Sequence, residues 1–300
     1  MRNEILNFNE LTTNKLENFG ETFIKYLDVD DLTLKAYKCG VNSFLSYLNE
    51  QQIQKPTRND IIAYRDVLRE EYSSNTVNTY MVAVKSLFKY LSIHHLYENI
   101  AVDIKGARHD TTPRKQVLSL EKMQEIYKSL DDDRERCLFG LMCTTGLRVC
   151  EISNALLEDI KEYNGEIVLF ILGKKRDSKC EYVKLSSEVL KDIKKYVGNR
   201  KIGYIFTSIS NHNKNGGVTT ASLRRIVKSI LRRNGLEEDT FSCHSLRRSF
   251  AVVSYEAGSS IYDIQQVLHH ANIQTTTRYL KQVDRDKNKT EYNVANLIFS

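Results

Sequence analysis

Between residues 13 and 97 the apolar positions recur every three or four residues, the period of helices with one buried face. In LTLKAYKCGVNSFLSYLNEQQ, the side chains of Leu34, Tyr37, Val41, Phe44, Leu45 and Leu48 fall on one stripe. TRNDIIAYRDVLREEY opens on a threonine suited to capping a helix and turns Ile61, Ile62, Tyr64 and Leu68 inward. TVNTYMVAVKSLFKYLSIHHLY repeats the pattern with Met81, Val84, Leu87, Phe88 and Leu91. With a further helix over about 13–27, the pattern predicts a four-helix domain without a strand.

The periodicity stops in KGARHDTTPRKQ, residues 105–116, which holds Pro113, one of only two prolines in the chain. This stretch reads as a linker. The predicted boundaries are a helical domain over 1–106, a linker over 107–117, and a second domain over 118–300 whose last part, 281–300, is a tail. The second domain reads as mixed. Helices are expected at 119–130, 133–143, 149–157, 187–197, 219–234, 244–257 and 261–268. Between them, GEIVLFILGKKRDSKCEYVKLS reads as two strands joined by a charged turn. The fold class expected is mainly α with a small antiparallel sheet.

Composition adds limits. A chain of 300 residues, 41% hydrophobic and 27% charged, can bury two ordinary cores. No run approaches the roughly 18 apolar residues of a membrane span, and the first residues, MRNEILNFNE, lack an apolar signal region. A cytoplasmic protein is expected. The six cysteines form no metal-ligand spacing, so reduced, mostly buried thiols are expected. The net charge of +6 is unevenly spread: residues 1–110 hold 13 Lys and Arg against 15 Asp and Glu, the remainder 31 against 23. A positive second half fits a polyanionic partner. Its basic amphipathic helix offers Arg224, Arg225, Lys228, Arg232 and Arg233, and the linker offers Arg114 and Lys115. Lys35, Lys38, Lys85 and Lys89 are candidates in the first domain. A merely solvated face is the alternative for that basic helix.

Four places collect groups suited to phosphate chemistry. In TTGLRVCEIS, Gly146 ends a helix and Arg148 stands where the next begins, able to grip a phosphate with its fork or to pair with Glu151. In CHSLRRSFA, His244 and Arg247 lie three apart on one helical face, with Arg248 directed elsewhere. Lys174 sits on the tip of the charged turn GKKRDSK. In HHANIQTTTRYL, His270 and Tyr279 flank a helix break. A tyrosine hydroxyl titrates near 10 and attacks poorly unless its surroundings favour the phenolate, so Tyr279 alone is as good a core residue.

Taken in order, Arg148, a hairpin lysine, His244-x-x-Arg247, His270 and Tyr279 resemble the active-site series of the tyrosine recombinase (phage integrase-like) family. TGLRVCEI, HSLRRSFA and TTTRYL are each close to family patterns, over roughly residues 118–282. The resemblance implies a helical core-binding domain followed by a mixed α+β catalytic domain of tyrosine recombinase type. It implies Arg148, Lys174, His244, Arg247, His270 and Tyr279 as catalytic residues, with Lys175 as the alternative to Lys174. Two positions depart from the family: His269 stands where a glycine is usual, and is read as structural, and Arg248 stands where a histidine is common.

The implied activity is site-specific recombination of DNA through a 3′-phosphotyrosyl intermediate, with double-stranded DNA bearing a core site as partner. Neither metal nor nucleotide is expected, and no GxxxxGK[ST] loop occurs. A tetramer on DNA is implied, with the tail (Val294, Leu297, Ile298, Phe299 at its apolar end) docked on a neighbouring protomer or on its own domain. The segment YLKQ after the tyrosine favours a mobile-element integrase or DNA invertase over Xer-type dimer resolution. A topoisomerase-like nicking and resealing enzyme and a catalytically idle DNA-binding protein are the remaining alternatives.

Overall fold

The structure, a computed structural model, describes residues 12–108, 116–173, 178–209, 216–237, 240–287 and 289–299, apart from the side chains of 281–287, 293 and 299. The chain divides into two compact units, Met1–Thr112 and Pro113–Ser300.

The first unit is built from α1 (Thr13–Tyr26), α2 (Asp31–Glu50), α3 (Arg58–Glu71) and α4 (Ser74–Ile93). Each begins where a short polar side chain relieves the free amides of the first turn. Asp30 and Ser73 accept from the backbone of Thr33 and Thr76, and Asp60 reaches back to Thr57 N at 2.7 Å. The two long helices α2 and α4 lie against each other, and Leu16, Phe23, Phe44, Tyr64 and Phe88 fill the centre. Ile62, expected inside, is only half-buried. One residue on from Ile61, it lies about 100° round the helix from the stripe of Ile61, Tyr64 and Leu68.

The second unit centres on α6 (Asp133–Thr145), which packs against α8 (Ser187–Val197) and α10 (Cys243–Glu256). Leu138, Phe139, Leu141 and Met142 are buried on successive sides of α6, as befits a helix enclosed by others. α5 (Leu120–Ser129) and α9 (Thr220–Arg233) close this core. The third strand of the sheet was not expected. β1 (Ile160–Tyr163), β2 (Glu166–Ile171) and β3 (Glu181–Lys184) form an antiparallel sheet in that order. The β1–β2 turn is Asn164–Gly165, with φ of 51° and 77°, the left-handed pair that a two-residue hairpin requires. Correspondingly, the helix expected over 149–157 stops as α7 (Val149–Ser153). Leu156 then bridges Tyr204, and Asp159 turns back to the Leu156 amide at 3.2 Å, committing the chain to the sheet.

The cysteines depart from expectation: Cys137 and Cys243 are buried, but Cys39, Cys150 and Cys180 are exposed. The remaining helices are α11 (Ile261–Val267), α12 (Ile273–Lys287) and α13 (Thr290–Phe299). A small separate cluster of Ala251, Val252, Ile264, Leu268, Tyr279 and Leu280 ties α10, α11 and α12 together. No described helix is long and apolar enough to cross a membrane.

Gly146 caps α6 with φ of 64°, and a Cβ there would lie 2.6 Å from Phe250 and 2.7 Å from Leu268. Gly146→Ala therefore combines a left-handed alanine with overpacking, an expected loss of about 2–4 kcal/mol in urea unfolding. A loss below about 1 kcal/mol would mean that α6 and α11 do not approach this closely.

Candidate active site

A cavity of about 760 Å³ in the second unit is lined by Arg148, His244, Arg247, His270 and Tyr279, residues from segments up to 131 positions apart. Each arrives by a definite local structure. The left-handed turn at Gly146 ends α6 and swings Arg148 to the start of α7. His244 and Arg247 share one face of α10 near its start. His270 follows the end of α11, and Tyr279 stands on α12.

Arg247 is 3% exposed, and its burial is compensated by acceptors. Its Nη1 donates to Gly146 O at 2.6 Å and its Nη2 to Leu268 O. These carbonyls are the C-cap groups of α6 and α11, the negative ends of two helices. Burial first, and then Arg148, push the guanidinium down to about 10, so it stays charged at neutral pH. Beneath both arginines lies Glu151, also 3% exposed. It accepts from Arg148 Nη1 at 2.6 Å and from Arg148 N at 2.6 Å, and stands 4.0 Å from Arg247. The pairing with Glu151 that was one reading of Arg148 thus exists, but with a carboxylate buried behind the cavity's arginines rather than on the surface. Arg148, Arg247 and the neighbouring Arg248 against Glu151 and Glu181 leave net positive charge around the cavity, the requirement for an anionic guest.

The Tyr279 hydroxyl is 3.0 Å from His244 Nε2, and the ring lies edge-on to both His244 and His270 at 5.5 Å. Burial raises the phenol above its usual 10, opposed by Arg247, Arg148 and Arg248. It therefore carries its proton at neutral pH and needs an acceptor to become a nucleophile. His244 is lowered by burial and then by Arg247, Arg248 and Arg148, so it is neutral and can accept at Nε2 when Nδ1 holds the ring proton. His270 is lowered further, to about 3, by burial and by Arg247. Its Nδ1 meets Thr276 Oγ1 at 2.9 Å, and its carbonyl accepts from Gln265 Nε2 at 2.9 Å.

Several functional neighbours escaped the sequence reading. Thr276, fully buried, orients His270, and Glu151, named only as a surface partner of Arg148, is buried against both arginines. Arg248, expected to point away, is buried and near enough to Tyr279 and His244 to act on both charges. Helical spacing alone sent it to the far side. The turn out of α11 allows α12 to cover that side too. Of these, only the Arg148–Glu151 pair was marked by its spacing in the sequence.

Lys174 and Lys175 lie outside the described residues, as do Arg114 and Lys115. On α9, Arg224 and Arg225 are exposed and Lys228 half-exposed, opposite the buried Leu223 and Val227. Arg224 and Lys228 act on the Cys243 thiol, which places them beside the start of α10 and hence near His244. In the first unit Lys35, Lys38 and Lys89 are exposed and Lys85 half-exposed. Lys38 borders a groove that also holds Glu17 and Glu21, a mixed rather than purely basic surface.

The profile of the phage integrase family matches residues 115–285, and that of the phage integrase N-terminal SAM-like domain matches residues 5–94. A protein described as a tyrosine recombinase from Thermosipho africanus (strain TCF52B) is 29% identical over 269 residues, covering 85% of this chain and 90% of its own. Among solved structures, XerH site-specific recombinase bound to a palindromic difH substrate has a TM-score of 0.71 at 20% identity, covering 94% of this chain and 86% of its own. A lambda integrase tetramer bound to a Holliday junction has a TM-score of 0.70 at 17% identity, covering 90% and 78%.

The depressed histidines make a sign-definite expectation. The folded state refuses protons at His244 and His270 that the unfolded chain accepts near 6.5. Stability is therefore complete above that value and falls as pH drops below about 6.5. For His270 the fall runs down towards about 3 at up to about 1.4 kcal/mol per pH unit, and His244 adds to it in the same direction. His270→Asn should flatten this fall in urea unfolding across pH 4–7. An unchanged slope would show that His270 titrates as in the unfolded chain.

Proposed function

Because the chain belongs to the phage integrase family of tyrosine recombinases, we propose that this cavity cleaves and rejoins DNA at a specific core site, with Tyr279 as nucleophile. The observation that carries the reading is the Tyr279 hydroxyl, 3.0 Å from a neutral imidazole and in one cavity with two arginines. As Tyr279 Oη bonds to phosphorus, its proton passes to His244 Nε2. Negative charge growing on the non-bridging oxygens meets Arg148 and Arg247, already held in place by Glu151 and the two helix ends. These guanidiniums do the charge stabilisation, so the proposed step draws on neither metal nor nucleotide. His270, fixed by Thr276, donates a further hydrogen bond. The P–O5′ bond breaks as Lys174 gives the leaving oxygen a proton, and a 3′-phosphotyrosyl link remains. Attack by the 5′ hydroxyl of a second duplex reverses the sequence and completes exchange.

DNA would be gripped by Arg224, Arg225 and Lys228 beside the cavity, by Arg114 and Lys115, and by Lys35, Lys38, Lys85 and Lys89 of the first unit. The working assembly is a tetramer on DNA in the cytoplasm. In support of contact with a second copy, α13 leaves Leu297 82% exposed together with Val294 and Ile298. The YLKQ segment supports integration or inversion as the biological role. The Xer name of one structural neighbour supports the alternative of dimer resolution.

The test is a pool of nicked duplexes with randomised cores, from which DNA covalently held by the protein is recovered after denaturation and sequenced. Wild-type protein should enrich one core and Tyr279→Phe should capture none. Arg247→Ala should slow capture by about 10²-fold or more. Binding to the enriched duplex should weaken steeply between 50 and 200 mM salt, by about 10³-fold or more for six or more phosphate contacts. Equal capture by Tyr279→Phe would place the nucleophile elsewhere, and relaxation of supercoils without exchange would favour nicking and resealing.

A further inference from the structure

One residue in the cavity carries two unfavourable features at once. His269 has φ of 49°, a left-handed conformation that glycine adopts freely and a branched ring side chain does not. The reason lies in the end of α11. His270 N donates to Gln265 O at 3.1 Å and His269 N to Gln266 O at 3.0 Å, the paired bonds of a Schellman cap. His269 occupies its left-handed position. The second feature is Nδ1, a buried nitrogen without a hydrogen-bond partner among the described residues. A glycine would remove both, so the imidazole is retained against the preference of its own backbone.

The group facing Nδ1 is a carboxylate. Glu181 Oε2 lies 4.0 Å away, and Glu181 also lines the cavity. Glu181 opens β3, and its carboxylate lies across the backbone of Gly173, where a Cβ would meet Oε2 at 2.5 Å. It thus sits at the base of the β2–β3 hairpin, against Gly173, which precedes Lys174 in the sequence. On the other side, the carbonyl of His269 stands 3.5 Å from Arg148 Nη2, and the turn that it forms carries His270 into the cavity.

We propose that His269 is a positioning residue of this active site, whose Nδ1–H bonds to Glu181 and ties the hairpin base to the turn bearing His270. This rests on the recombinase reading of the cavity. Closing the gap takes about 1 Å of side-chain rotation to reach hydrogen-bond length. The ring is held neutral by burial, with Glu181 and Glu151 pulling it up and Arg247 and Arg148 pushing it down. A neutral ring has one proton to give, and Nδ1 is the nitrogen that faces an acceptor. The bond sets the position of the hairpin base, at Gly173 and Glu181, relative to the histidine-arginine cluster around phosphorus. It does not touch the reacting atoms.

The experiment uses the full chain and the duplex enriched from the randomised pool, measuring melting temperature, duplex affinity and rate of covalent capture. His269→Gly should melt about 2–4 °C higher, since the strain is removed. It should bind the duplex as wild type does yet capture it about tenfold more slowly. Glu181→Gln should lose rate similarly, and the double variant should be no slower than the slower single one, as expected for partners in one contact. His269→Asn, which tolerates the left-handed backbone and keeps a donor, should recover most of the rate. A His269→Gly protein that captures at the wild-type rate overturns the proposal, as does a double variant whose losses multiply. Absence of capture by wild type, or capture by Tyr279→Phe, would instead sink the reading of the cavity itself.

Discussion

Everything in the catalytic unit's cavity depends on one buried cation. Arg247 can lie within the protein because two helices end against it, α6 through Gly146 O and α11 through Leu268 O, with Glu151 alongside. Taking a guanidinium out of water costs several kcal/mol unless such acceptors receive it. The requirement fixes where those helices stop, and stopping them there has consequences. The end of α6 delivers Arg148, and the end of α11 delivers His270. One electrostatic demand therefore assembles three of the site's residues.

Burial, and then the same surplus of positive charge, explain why the histidines are neutral. Burial and the neighbouring guanidiniums disfavour a further proton on His244, His269 and His270. A neutral His244 beside a protonated phenol is the combination a nucleophile needs before attack. The cost is borne in stability below about pH 6.5, where the unfolded chain gains protons that the folded one rejects. The site is thus held ready at the expense of tolerance to acid. His269 repeats the trade in backbone form, accepting a left-handed turn for the sake of a side chain in the cavity.

Outside the cavity the two units show different surfaces. The basic face of α9 adjoins the start of α10, where Arg224 and Lys228 act on Cys243. The lysines of α2 and α4 stand on a unit whose acidic residues outnumber its basic ones, and Lys38 shares its groove with Glu17 and Glu21. A polyanion would feel the first surface as an extension of the cavity and the second as a scatter of separate contacts.

By itself the sequence determined most of the helices up to α11 and the order of the candidate site residues, while α12 and α13 went unread. Apolar residues at helical spacing mark a buried face wherever the helix packs, and motif residues keep their order whatever the fold does with them. Ile61, Tyr64 and Leu68, and the series from Arg148 to Tyr279, were legible for that reason. Asn164–Gly165 carries local turn chemistry, yet neither it nor the strand before it was read. The tertiary structure alone decided the rest. Glu151 was buried behind the arginines, Arg248 turned inward and Thr276 met His270 because segments distant in the chain close over one another. The left-handed His269 was settled by how α11 had to end beside Arg247. Periodicity reports which way a side chain faces on its own helix, and carries no information about what another segment will bring to meet it.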